Sequence, residues 1–157
     1  MQAWRVDEFG EPTQQWRLAE DVPECQPGAG EIKVAVEACG LGLPDVLMCR
    51  NNYPLTPPLP FTPSQEAAGK VVAVGEGVDE GLLGTRVMGT TLFQAQAGGL
   101  AEYCLMSAGA ALPIPDAMPA EEAAGFFIPY LTAWVGLVRR GSITADDTLL
   151  VLGASGS

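Results

Sequence analysis

Histidine is absent from this chain of 157 residues. Histidine is the commonest general base near neutral pH and the commonest zinc ligand in proteins. Its absence excludes serine–histidine–aspartate and cysteine–histidine catalysis within these residues.

Basic residues are scarce. Lysine and arginine number 8 against 19 aspartates and glutamates, which gives a formal net charge of −11. A chain this acidic repels phosphate backbones and anionic membranes. We therefore expect neither nucleic acid nor a membrane as a partner.

Long apolar runs are also missing. No stretch reaches the length needed to span a bilayer. The opening residues, from Met1 to Arg5, carry no apolar core or small-residue cleavage site of a signal peptide. We therefore expect a soluble, cytoplasmic protein.

Cysteines are few, and none form a C-x-x-C pair. The four are Cys25, Cys39, Cys49 and Cys104. An even number permits a disulfide framework, but no other feature indicates secretion. We expect reduced and largely buried thiols.

Most of the first 115 residues predict short strands separated by glycine and proline. In the segment 31–40, Ile32, Val34 and Val36 alternate with more polar positions, so one face of a strand should point to a core. Further strands are predicted at 68–74, 85–88, 101–105 and 111–114. This spacing is typical of a barrel or sandwich. A short helix should begin at Pro44, and the five prolines of 53–63 predict an irregular loop.

A change of pattern near Pro119 predicts a domain boundary within 115–122. Apolar residues beyond it recur at helical spacing up to Gly141. Pro129 interrupts that pattern, so we expect two helices or one helix kinked at Ile128. The apolar run 148–152 predicts a strand that is buried on both faces, as in a parallel sheet. It leads into Gly153-Ala154-Ser155-Gly156, close to the last residue.

Six segments resemble motifs of the medium-chain dehydrogenase/reductase family, and they follow one another along the chain in the family's order and at its spacing. Residues 84–87 resemble its G-D-R-V turn with Thr85 in place of aspartate, and 99–103 resemble its G-G-x-A-E-Y strand. The other segments are 30–34, 60–69, 71–78 and 131–134. The resemblance implies a mainly β fold: a GroES-like β-barrel over 1–119, then helices and the first strand of a truncated Rossmann α/β domain over 120–157. We expect the nucleotide-binding unit to be incomplete in this chain.

Two substitutions favour the zinc-free, quinone-reductase-like branch of that family. Gly42 stands where the zinc-dependent branch has its catalytic cysteine, and Gln65 stands where it has histidine. Glycine and glutamine cannot replace thiolate and imidazole as zinc ligands, so we expect no zinc. The quinone-reductase branch usually has asparagine at the position of Gly42, which leaves the substrate open.

The resemblance implies catalytic roles for Tyr53 and Gln65. Tyr53 matches the tyrosine that lines the nicotinamide and substrate cleft, where a phenol can donate to a carbonyl. Gln65 could supply an amide in place of the missing asparagine. The alternatives are that Tyr53 only caps the proline loop and that Gln65 bonds its local loop. Asp45 is expected to orient the short helix, and Glu66 to pair internally below the cleft.

The cofactor residues implied by the resemblance lie in the second half of the chain. Thr132 matches a threonine near the nicotinamide, with a helix-start cap as the alternative. The start of a nucleotide loop is matched by Gly153, Ala154, Ser155 and Gly156. Glycines there let the backbone approach a pyrophosphate, although a strand followed by two glycines is also an ordinary turn.

These residues together predict an oxidoreductase that moves hydride from NADP or NAD, with NADPH favoured by the resemblance, to a quinone or a related activated carbonyl or alkene. The 157-residue chain by itself is expected to be inactive. The full-length form is expected to be a homo-oligomer. A non-catalytic GroES-like binding module and an enoyl-thioester reductase are the alternatives. Cofactor binding would separate the enzymes from the module.

Overall fold

A computed structural model describes residues 1–154. The chain opens with an antiparallel pair of strands, β1 (Ala3–Val6) and β2 (Trp16–Ala19), on either side of the short helix α1 (Pro12–Gln15). A five-stranded antiparallel sheet follows in the order β6-β3-β4-β5-β7. Its strands are β3 (Glu31–Gly40), β4 (Glu66–Val74), β5 (Arg86–Thr90), β6 (Tyr103–Ser107) and β7 (Leu112–Pro113). Each predicted strand of the first 115 residues is present, with ends shifted by at most a few residues.

The large sheet closes on itself, which confirms the barrel. Thr91, directly after β5, forms a bridge with Met106 of the edge strand β6. Next to it, the amide of Leu92 donates to the carbonyl of Leu105 at 2.7 Å. Closure of this kind satisfies backbone groups that would be exposed at a free edge. A further bridge between Ala3 and Ala101 ties the first strand pair to the barrel.

The barrel core contains the side chains predicted from the alternation in β3. Ile32 and Val34 are fully buried. They belong to a cluster contributed by four strands, whose other buried members are Ala67, Val71, Val87, Cys104 and Met106. Lys33, between the two core residues, is also buried, at 6% exposure. Its ammonium lies 3.1 Å from a carboxylate oxygen of Glu24 and 4.5 Å from the ring centre of Tyr103, so neighbours on the outer face cover it.

The predicted short helix is α2 (Leu43–Cys49), and Pro44 lies in its first turn. The proline-rich segment 53–63 contains no helix or longer strand, as predicted. Phe61 from this segment is fully buried and packs with Val6, Met48, Cys49 and Phe93. The irregular loop is therefore fixed by apolar packing against residues of α2 and β1.

The helical region contains two helices, which is one of the two expected arrangements. Helix α3 (Ala120–Ala124) ends at Gly125, and α4 (Phe127–Trp134) begins two residues later. The other arrangement, one helix kinked at Ile128, is wrong, because Pro129 lies in the first turn of α4, where an amide has no partner within the helix. A wider π-helical segment, Val135–Arg140, continues α4 up to Gly141.

The strand predicted at 148–152 is not formed among the described residues. Leu150 and Leu152 are 79% and 85% exposed. A parallel strand needs neighbouring strands to bond its backbone groups, and residues 1–154 offer none there. Within the same range, no helix is long and apolar enough to cross a membrane. All four cysteines are free thiols, with Cys49 and Cys104 buried and the other two partly covered.

Candidate functional site

A buried carboxylate, Asp45, links the start of α2 to the segment before β4. One oxygen accepts the amide of Gly42 at 2.9 Å, and the other accepts the amide of Ser64 at 2.7 Å. Asp45 is 2% exposed. The two positions that would hold metal ligands in the zinc branch, Gly42 and Gln65, therefore flank one carboxylate. This confirms that Asp45 orients the short helix.

Ser64 holds the backbone turn that presents Gln65. Its φ of 83° lies in the left-handed region, which is costly for a residue other than glycine. Its hydroxyl lies 3.0 Å from the carbonyl of Gly40 and 2.8 Å from that of Glu66. Its own carbonyl accepts the hydroxyl of Thr91 at 2.8 Å. These bonds hold the unusual backbone in place. Sequence inspection missed Ser64 and Thr91, since isolated hydroxyl residues give no signal of their tertiary partners.

Gln65 is 7% exposed, and its amide has unused hydrogen-bonding capacity. Its Nε2 lies 3.9 Å from the thioether sulfur of Met48, and this contact is the one hydrogen bond that the Gln65 side chain makes among residues 1–154. A thioether is a weak acceptor. The side chain therefore makes no bond to its own loop, and its carbonyl oxygen and second N–H remain for another partner.

Tyr53 lies near the C-terminal end of α2. It is half-buried and packs against the cluster that contains Met48 and Phe61. Its carbonyl accepts both the amide and the hydroxyl of Thr56, at 3.1 and 2.7 Å. Its phenol makes no hydrogen bond within the described part of the chain. Tyr53 and Gln65 thus both border α2, and each keeps a free polar group.

Glu66 joins the barrel to the helical region. Its Oε2 accepts the amide of Ile128, in the first turn of α4, at 2.8 Å. Close approach at this junction also explains Gly40, where an added methyl would stand 2.8 Å from the carbonyl of Ala124. Glu66 therefore bonds internally, as expected, and its partner is a helix start.

Burial dominates the electrostatics of both carboxylates. Desolvation raises the pKa of Asp45, and the amides of Gly42 and Ser64 partly offset this. Desolvation also raises the pKa of Glu66; the Ile128 amide lowers it, and the charge of Asp45 adds to the rise. No cation pairs with either group among the described residues, so no ion pair offsets the desolvation of either carboxylate.

The cofactor residues predicted from the sequence lie in α4 and in the segment after it. Thr132 is exposed within α4, so the alternative of a helix-start cap is wrong. Gly153 is exposed with φ 69°, and nothing lies within 4 Å of a methyl added there. Ala154 is also exposed. Ser155 and Gly156 lie outside the described residues.

The residues around Asp45 do not fit zinc. Gly42 has no side chain, and the amide of Gln65 is a poor substitute for imidazole. Within residues 1–154, no group of three or more cysteine, aspartate or glutamate side chains is arranged to hold a metal ion.

Comparison with known proteins places this barrel in a family. Residues 28–116 match the alcohol dehydrogenase GroES-like domain. The chain therefore belongs to the proteins built on that domain, the medium-chain dehydrogenase/reductase family. Within the family, its relatives are quinone oxidoreductases and VAT-1 type proteins.

Three relatives illustrate this similarity. The quinone oxidoreductase of Rattus norvegicus is 34% identical over 156 residues, which are 99% of this chain and 46% of that protein. The synaptic vesicle membrane protein VAT-1 homolog of the same organism is 38% identical over 130 residues, which are 83% of this chain and 31% of that protein. A mycobacterial protein solved as a complex with NADPH is 33% identical, with a TM-score of 0.78 over 94% of this chain and 42% of that one. The chain thus spans less than half the length of these relatives.

Proposed function

We propose that this chain supplies the substrate-binding barrel of an NAD(P)H-dependent oxidoreductase that transfers hydride, without zinc, to a quinone or a related activated carbonyl or alkene. The observation that carries the proposal is the pair of free polar groups beside α2. Gln65 offers an amide whose side-chain contact is a thioether 3.9 Å away, and Tyr53 offers a phenol without a hydrogen bond among residues 1–154. The similarity to quinone oxidoreductases supports a quinone as substrate.

Hydrogen-bond donors are what reduction of a quinone requires from the protein. Negative charge develops on the quinone oxygens as hydride arrives, and preorganised donors stabilise it. The amide N–H of Gln65 and the phenol of Tyr53 are such donors. Asp45 holds the backbone beside Gln65 through Ser64, so it acts as a positioning residue.

A nicotinamide cofactor would supply the hydride. Gly153, Ala154, Ser155 and Gly156 would hold its pyrophosphate, and Thr132 would bond the carboxamide. NADPH is favoured, because a relative is solved with that cofactor. We also propose that the working protein is cytoplasmic and homo-oligomeric, and that it takes a small-molecule substrate.

Turnover by variants tests the proposal. In a protein that carries this chain together with a complete nucleotide-binding domain, Gln65→Ala should lower kcat for quinone reduction on the order of a hundredfold, the effect of losing one well-placed donor. Tyr53→Phe keeps the ring and removes the hydroxyl, so it should also lower kcat. Stopped-flow oxidation of NADPH with several quinones measures both effects.

Matched controls use exposed residues of the same type. Gln94→Ala and Tyr130→Phe change side chains that lie away from α2 and should leave kcat unchanged. Equal rates for wild type and Gln65→Ala with every quinone would reject Gln65 as a catalytic residue. Failure to oxidise NADPH with quinones, alongside reduction of an enoyl thioester, would reject the substrate class.

We further propose that the 157-residue chain alone does not bind a dinucleotide tightly. Residues 148–152 form no strand, and nothing lies within 4 Å of a methyl added at Gly153. A pyrophosphate site needs the following helix start to be held in place by a sheet. Calorimetric titration of the chain with NADPH should show no micromolar binding, and micromolar binding would contradict this part of the proposal.

A further inference from the structure

The guanidinium of Arg86 in β5 reaches the segment that connects the barrel to the helices. Its Nη1 lies 3.4 Å from the carbonyl of Pro115, 3.2 Å from that of Asp116 and 3.0 Å from that of Met118. The two N–H groups of one nitrogen are therefore shared among three carbonyls. Among residues 1–154, no other side chain donates a hydrogen bond to 115–118.

The opposite edge of the same guanidinium is fixed by the barrel. Its Nε and Nη2 donate to one carboxylate oxygen of Glu37, on β3, at 3.0 and 2.9 Å. The Arg86 side chain is 19% exposed, and that of Glu37 is 37% exposed. A planar guanidinium has N–H donors on two edges at fixed angles, so it constrains the direction of its hydrogen bonds. The donors of an ammonium rotate and impose no such constraint. The group therefore bridges β3 and the connecting segment.

Apolar contacts alone do not set the path of the segment 115–118. Ile114 and Met118 pack near Ala68, Met88 and Ala123, which holds α3 against the barrel. Such packing is non-directional and does not orient carbonyl groups. Three carbonyls that converge on one nitrogen need a donor in a fixed place.

We propose that Arg86 is a positioning residue that anchors 115–118 to the barrel and thereby fixes the point from which α3 and α4 leave it. Glu37 orients the guanidinium. Because α4 carries Thr132, the anchor also sets where that residue stands relative to the barrel. The anchor acts on the geometry of the chain whatever reaction the protein performs.

Hydrogen exchange of the chain, followed by NMR, tests the anchor. The informative amides belong to Ile114, Met118 and Ala123, each of which donates a backbone hydrogen bond in or beside the segment. Arg86→Met keeps the length and removes every donor. These amides should then exchange roughly tenfold faster, because local opening no longer breaks charge-assisted bonds. Amides at the centre of β3 and β4 should be unchanged.

Two further variants keep the test decisive if Arg86→Met folds poorly. Arg86→Lys retains the charge without the fork and should recover only part of the protection. Glu37→Gln retains an acceptor for Arg86 and should change exchange less than Arg86→Lys. Arg17→Met, which removes an exposed ion pair with Asp7, is the matched control and should leave the three amides unchanged.

Unchanged exchange at Ile114, Met118 and Ala123 in the Arg86 variants would overturn the proposal. So would an equal rise across β3 and β4, because that result would make Arg86 a contributor to global stability without a positioning role.

Discussion

The barrel and the helical region after it use similar apolar residues with opposite results. In the barrel, residues such as Phe61 and Ile32 are fully buried. In α4 and the π-helical segment no residue is buried. Trp134 is 48% exposed, and Leu150 is 79% exposed. An apolar pattern thus determines which face of a helix or strand is apolar. Whether that face is buried depends on whether another element packs against it.

The closed sheet explains why the barrel buries its residues. Each strand has bonded neighbours, and the bridge of Thr91 to Met106 completes the ring. Among residues 1–154, by contrast, helix α4 is tied to the barrel by one hydrogen bond, from Ile128 to Glu66, and by packing against β5. Three substitution pairs, in order of decreasing effect, test this difference.

Glycine replacements should show the largest contrast. A methyl at Gly69 in β4 would stand 2.0 Å from the carbonyl oxygen of Ala35 in β3, so Gly69→Ala must separate two paired strands. We expect it to lower the free energy of unfolding by more than about 4 kcal/mol. At Gly136 nothing lies within 4 Å of an added methyl. Gly136→Ala should therefore not lower the free energy of unfolding, because alanine is more favourable than glycine in a helix by about 1 kcal/mol. Urea unfolding followed by circular dichroism measures both, and equal stabilities for the two variants would contradict the comparison.

Truncation of large apolar side chains should give the next contrast. Phe61 is fully buried, so Phe61→Ala should cost about 3–5 kcal/mol of stability through lost burial and a cavity. Leu150 is exposed, and Leu150→Ala should stay within about 0.5 kcal/mol of the wild type. The midpoints of urea unfolding of the 157-residue chain decide the matter. A loss at Leu150 as large as that at Phe61 would show that segment 148–152 is packed against the rest of the chain.

The pH dependence at Glu66 is the smallest expected effect. Its pKa is raised above the ordinary value of 4.5, chiefly by burial. The folded state therefore holds this proton more tightly than the unfolded state, and stability falls as pH rises from that value through the folded pKa. Glu66→Gln keeps an acceptor for the Ile128 amide and cannot ionise. Its stability relative to the wild type should rise as pH rises above 4.5.

Urea unfolding at several pH values measures this difference. Glu121→Gln on α3 is the control, because its side chain is exposed and should follow the wild type. A constant difference between Glu66→Gln and the wild type over the whole range would show that the Glu66 carboxylate does not couple barrel stability to pH.

Much of the barrel could be predicted because its signals are local. The alternation of Ile32, Val34 and Val36 fixes the faces of β3, and prolines mark the loop that follows α2. The family motifs also led directly to Asp45 and Gln65. The partners of those residues lie far away in the chain: Asp45 bonds Ser64, and Glu66 bonds Ile128. Sequence spacing gives no measure of such contacts.

The sequence by itself determined the positions of the barrel strands along the chain and the absence of imidazole chemistry, since these follow from residue type and local periodicity. It also showed glycine and glutamine at the two positions, 42 and 65, that the resemblance matches to zinc ligands. Only the tertiary structure decided that Pro129 lies harmlessly in the first turn of α4, that Lys33 is covered on the outer face, and that 148–152 remains unpaired. Each of these depends on which distant group occupies the space beside a residue. That occupancy is set by chain closure and packing, which a local pattern does not encode.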